Sequence, residues 1–245
     1  MLYILVIGFL LGLRHALDAD HIAAVASLAT RSRTTSETVR TGIAWGLGHT
    51  ITLFVVCAAV LVMDVGFPQH VASIAEFLVG LMLVGLGADV IRRAIRKKIH
   101  LHGHSHDDDG YHLHLHGHSN TTVHNEAEHR HAHPRGLPTR ALVVGLMHGL
   151  AGSAALLLLA VTEQGSMAMA LVYIGLFGVG SMVGMAVLSF TIALPLRASA
   201  RFARLGFNAF NSAIGAGTVA LGLYIVFDTA PSVAGILRAG ASVSG

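Results

Sequence analysis

Six runs of about twenty apolar residues dominate this chain, near 2–29, 41–63, 70–91, 139–162, 167–195 and 207–229. A helix rises about 1.5 Å per residue, so each run is long enough to cross a hydrocarbon core of about 30 Å. In oil every backbone amide must find its partner within the chain, and a helix does this within one segment. The sequence therefore predicts an all-α integral membrane protein with six transmembrane helices. Of 245 residues, 53% are hydrophobic and only 12% charged, against roughly 25% charged in soluble domains, which excludes a soluble or nucleic-acid-binding protein. The five prolines, Pro68, Pro134, Pro138, Pro195 and Pro231, all fall at or beyond the proposed helix ends, where proline is tolerated best. The first run has neither a basic leader nor a small-residue cleavage site, so it reads as a span and not as a removable signal peptide. The lone Cys57 excludes an intrachain disulfide or a four-thiolate zinc site.

Lysine and arginine mark the loops that stay in the cytoplasm. Linker 30–40 carries Arg31, Arg33 and Arg40, linker 92–138 with Arg140 carries eight basic residues, and linker 197–206 carries Arg197, Arg201 and Arg204. The alternate connections, 64–69 and 163–166, carry none. Both termini are thus expected outside a cell inner (plasma) membrane. The halves also repeat: Gly12-Leu13-Arg14-His15 aligns with Gly145-Leu146-Met147-His148, and Gly46-Leu47-Gly48-His49 with Gly178-Val179-Gly180-Ser181. Three helices per half is an odd number, which inverts the second half relative to the first. Residues 1–91 and 139–245 form a 3+3 inverted repeat around loop 92–138, a plan with its substrate site near the bilayer midplane. Glycines four apart, as at Gly8 and Gly12 or Gly145 and Gly149, are helix-packing surfaces.

Charge inside the first run demands an explanation. Arg14-His15-Ala16-Leu17-Asp18-Ala19-Asp20-His21 follows only 12 apolar residues, about 18 Å of helix, so the cluster lies within the membrane. Arg14, Asp18 and Asp20 without partners would oppose burial by roughly 8 to 10 kcal/mol. Two carboxylates and two imidazoles, Asp18, Asp20, His15 and His21, suit a divalent nickel, cobalt or zinc ion. The set climbs about 9 Å, too far for one ion on a regular helix; either the helix unwinds between Gly12 and Ala19 or other helices contribute. His49 is the foremost contributor from a second helix, and His148 occupies the place of His15 in the second half. Arg14 is assigned to pairing with Asp18 or Asp20.

The stretch R-H-A-L-D-A-D-H-I from Arg14 to Ile22 resembles the H-x4-D-H signature of the nickel/cobalt transporter (NiCoT) family, and L-G-H-T from Leu47 to Thr50 resembles that family's next motif. The resemblance covers nearly the whole chain. It implies transport of Ni²⁺ or Co²⁺, with His15, Asp20, His21 and His49 matching residues the family needs. Typical members have eight spans and an acidic residue after H-G-L-G, whereas this chain has six and reads Gly149-Leu150-Ala151-Gly152-Ser153. It is closer to the shorter branch of urease-accessory-type nickel permeases and nickel/cobalt exporters.

Residues 100–133 hold 12 of the 17 histidines. His102, His104, His106, His112, His114, His116 and His118 alternate with other residues, so an extended segment gathers their imidazoles on one side. With no apolar partner this loop is expected to be disordered when empty and to serve as an auxiliary cytoplasmic metal buffer. The reading is therefore a transporter and not an enzyme. It needs no resident cofactor, takes Ni²⁺ or Co²⁺ as substrate, and has as partners membrane lipid and the divalent ion, with a cytoplasmic nickel chaperone or a second copy of the chain as candidates and no nucleic acid. Uptake is favoured slightly over export. The rivals are an intramembrane metalloenzyme, though the chain has no H-E-x-x-H and no His-His pair, and a metal store or sensor built on the loop.

Overall fold

The computed structural model describes residues 2–32, 34–63, 69–96, 100–104, 112–116, 138–150, 166–201 and 204–243. Its helices are α1 (Leu2–His15), α2 (Ala19–Ala29), α3 (Thr35–Met63), α4 (Gln69–Arg96), α5 (Thr139–His148), α6 (Met167–Arg201) and α7 (Arg204–Val243). Four of them, α3, α4, α6 and α7, are long and apolar enough to cross a membrane, and α1 and α2 supply two shorter apolar helices.

Helix ends follow local chemistry. The first apolar run is broken at Ala16–Asp18 into α1 and α2. Helix α3 begins six residues before the apolar run because Thr34 caps it: the Glu37 amide donates to Thr34 Oγ1 at 3.1 Å, and the Thr38 hydroxyl donates to the Thr34 carbonyl at 3.1 Å, a Thr-x-x-Glu helix start. The proline boundaries need correction. Pro195 lies inside α6 and Pro231 inside α7, since proline removes one hydrogen bond while the apolar run on either side still favours helix in oil. The predicted span 139–162 is seen as α5 to His148, and residues 151–165 lie outside the described residues.

Glycine sets the packing and reveals the helix directions. Helices α1 and α6 run the same way, with Gly8 against Tyr173, Gly12 against Phe177 and Ala16 against Gly184. Helices α3 and α5 also run together, with Gly145 on Trp45 and Gly149 on His49 and Thr52. By contrast α3 and α6 are antiparallel, through Gly46 with Met182 and Thr50 with Gly178, as are α4 and α7, through Gly80 with Gly222 and Gly87 with Gly215. At Gly12 a Cβ would overlap the Phe177 carbonyl oxygen, and at Gly145 it would overlap that of Trp45. Only glycine permits these approaches.

Trp45, Leu83, Met185, Ala24 and Val25 fill the core. The outer surface is apolar too, with Val55, Val62, Val187, Leu194, Tyr224 and Phe227 exposed, as a lipid-facing belt requires. Helix α2 is pinned to α7 by a buried hydrogen bond between the Ser27 and Thr218 hydroxyls at 2.9 Å. At the far end of α2, Asp89 of α4 gathers Arg31, Arg93 at 3.2 Å and Arg140 at 3.6 Å, joining the ends of α2, α4 and α5. In the histidine-rich linker, β1 (His100–His104) and β2 (His112–His116) pair antiparallel, with His102 opposite His114 and His104 opposite His112. Within those ten residues the backbone is paired and not irregular, as period-two His/Leu alternation allows. His106 and His118 lie outside the described residues.

Candidate metal centre

Four histidines from four helices meet where α1 stops. His15 is the last residue of α1, His21 lies in the first turn of α2, His49 is midway along the 29-residue α3, and His148 ends α5. His21, His49 and His148 are buried, with His49 and His148 at 0% exposure. Ring centroids of His15 and His21 are 4.4 Å apart, those of His21 and His49 5.1 Å, those of His15 and His49 5.4 Å, and those of His21 and His148 4.5 Å. Two aromatic rings close the walls: Phe177 lies 5.3 Å from His15, and Trp45 lies 5.3 Å from His148.

The helix break has a chemical basis. Asp18 occupies the N-cap position of α2 in extended backbone, yet its side chain makes no cap hydrogen bond. Its carboxylate accepts instead from His15 Nδ1 at 2.8 Å. Asp20 accepts from His21 Nδ1 at 3.0 Å with one oxygen and from His148 Nε2 at 3.0 Å with the other. When a carboxylate accepts a hydrogen bond from Nδ1–H, the proton stays on Nδ1 and the lone pair is left on Nε2, the arrangement that orients histidines toward metals. His15 Nε2, His21 Nε2, both nitrogens of His49 and His148 Nδ1 are buried without a hydrogen-bond partner.

Nitrogens of His15, His21 and His49 lie within 4.8 Å of one another, and so do donor atoms of Asp20, His21 and His148. Nitrogens about 2.0 to 2.1 Å from a first-row ion are about 3 to 4 Å apart, so a small rotation of the rings closes the first set on one ion. Two helix C-termini, those of α1 and α5, end at the cluster, where their negative dipole ends favour a cation. The terminations match: Ala16 N donates to Gly12 O and Leu17 N to Arg14 O, while Gly149 N donates to Gly145 O and Leu150 N to Met147 O.

The model of the NicO family, described as high-affinity nickel-transport protein, matches residues 1–226. This chain belongs to the NicO family. It is also similar to the urease accessory protein UreH of Bacillus sp. (strain TB-90), with 34% identity over 235 residues that span 93% of this chain and 92% of that protein. No solved structure matches the chain. Its helices and its family make this NicO chain a multi-pass membrane protein.

In this NicO chain the six residues expected at the buried site, His15, Asp18, Asp20, His21, His49 and His148, lie near one another, and the seven loop histidines are apart from them in the sequence. His15, His21 and His49 make one group that could hold a metal ion, and Asp20, His21 and His148 a second. Asp18, 55% exposed at its side chain, holds the outer nitrogen of His15. Arg14 is exposed and does not serve as the partner expected for it, because the ion pairs of Asp18 and Asp20 among the described residues are with histidines. A basic side chain that can reach water gains nothing by entering the cluster. Trp45 and Phe177 were not singled out from the sequence. Their signal was position: Trp45 is one helical turn before His49, and Phe177 is its counterpart before Ser181.

Proposed function

We propose that this NicO chain carries Ni²⁺, and Co²⁺ by the same chemistry, across the cell inner membrane through the His15/His21/His49 centre, with uptake the favoured direction. The observation that carries this reading is three buried imidazoles with unpartnered nitrogens converging within 4.8 Å at a break in an apolar helix. His49 stands 14 residues from either end of α3, which supports a site near the bilayer midplane. Imidazole donors with neighbouring carboxylates suit nickel and cobalt and discriminate against magnesium, which prefers oxygen. Asp20 and His148 form the second station, reached when Asp20 releases its hydrogen bonds and His21 turns its other nitrogen to the ion.

The two halves, 1–91 and 139–245, act as an inverted repeat that rearranges around the centre. Support comes from the helix directions. Helix α1 is parallel to α6, α6 antiparallel to α3, and α3 parallel to α5, so α1 and its counterpart α5 point in opposite senses. The basic ends of α2, α4 and α5 gather on Asp89, which supports a cytoplasmic position for that end and for the histidine-rich loop, with both termini outside. Two positive charges moving inward gain about 4.6 kcal/mol per 100 mV, enough for roughly a thousandfold accumulation with no coupled ion.

The test is nickel flux into vesicles containing purified protein. His15→Ala, His21→Ala and His49→Ala should each abolish flux while the protein stays folded. Wild-type flux in all three would reject the assignment.

A further inference from the structure

The first half of the chain supplies His15, Asp20, His21 and His49 to the centre, and the second half so far only His148. A second-half residue stands in the place of His49. A Cβ on Gly145 would come within 3.0 Å of the His49 amide nitrogen, and a Cβ on Gly12 within 2.9 Å of the Ser181 amide nitrogen. One turn earlier the same two glycines meet the carbonyls of Trp45 and Phe177, and these aromatic rings lie at the same 5.3 Å from His148 and His15. The correspondence thus holds for backbone and side chains alike: Trp45 and His49 on α3 stand to α5 as Phe177 and Ser181 on α6 stand to α1.

Ser181 is wholly buried and its hydroxyl has no partner. The Thr191, Thr218 and Thr229 hydroxyls donate to the carbonyls of Val187, Ile214 and Ile225, four residues back, whereas Ser181 and, two turns further along α6, the buried Ser189 do not. Ser181 leaves that option unused at the register position where His49 meets the histidine cluster. A buried, unpartnered oxygen at the place that corresponds to His49 is open to a cation.

We infer that Ser181 is the second half's oxygen donor to the transported ion, bound directly or through one water on that ion, beside His15, His21 and His49. The inference rests on the ion lying at those three histidines. One neutral oxygen among three nitrogens keeps the site borderline in character and leaves the ion's charge undiminished for release.

The test uses Co²⁺ as probe, its visible d–d absorption read on the purified full chain as a difference against His49→Ala, which keeps the histidine-rich loop and subtracts its signal. Ser181→Ala should change the band shape and weaken Co²⁺ binding about tenfold, and Ser181→Thr should restore both. Ser181→Cys, nearly the same size, should add a near-ultraviolet thiolate-to-cobalt charge-transfer band absent from wild type. An unchanged Ser181→Ala spectrum and affinity, or no new band in a folded Ser181→Cys protein, overturns the inference while the histidine site stands. No difference between wild type and His49→Ala overturns the histidine site itself, and the inference with it.

Discussion

Asp18 and Asp20 carry the clearest lesson at the scale of single residues. Their side chains accept from Nδ1 of His15 and of His21, at 2.8 and 3.0 Å, so with the ion at the three histidines they would act on it through imidazole. Partners of this kind are typically worth 10- to 100-fold in metal affinity. Asp20→Asn replaces one acceptor oxygen by a donor, so His21 and His148 can no longer both be held. We expect the nickel concentration for half-maximal flux to rise 10- to 100-fold, measured in vesicles, and an unchanged value would remove Asp20 from the centre. The motif exposed these residues to view because acids and histidines in an apolar run are costly wherever they are found. It could not assign their roles, since a carboxylate beside an imidazole has the same spelling whether it touches a metal or a ring nitrogen. Arg14 misled for the same reason: sequence gives its charge but not which way it leaves the helix end.

At the scale of elements, α1 and α5 are short because they end at the centre, and they reach it because glycine lets them. Gly145→Ala would drive a methyl group into the Trp45 carbonyl, and overpacking of this kind costs about 1 to 3 kcal/mol. Thermal unfolding in detergent should therefore occur several degrees lower. Gly85→Ala and Gly175→Ala, with open space around both positions, should leave the transition where it is or raise it. Equal effects at all three positions would contradict the packing. The break at Ala16–Asp18 was legible as a geometric necessity, because donors spread over about 9 Å cannot share one ion on an intact helix. The passage of α6 and α7 through Pro195 and Pro231 was not legible: proline's local preference is visible in sequence, and the lipid environment that overrides it is not.

At the scale of the whole molecule, the proposed function assigns transport and buffering to different parts of the chain. Deleting residues 100–133 removes 12 histidines and none of the buried donors. Nickel flux should persist in vesicles with altered affinity, whereas a chain that merely stores metal would lose its function. Only neutral imidazole binds metal, so nickel held by the intact loop should fall away as pH drops through about 6.5 and return above it; binding that is flat across that range would argue against histidine as the loop's ligand. The most direct test of the centre is nickel X-ray absorption on the chain lacking residues 100–133. We expect one nickel per chain, with the scattering pattern of about three imidazoles, and loss of that pattern on His49→Ala. Stoichiometric nickel with an unchanged spectrum after His49→Ala would show that the ion is held elsewhere.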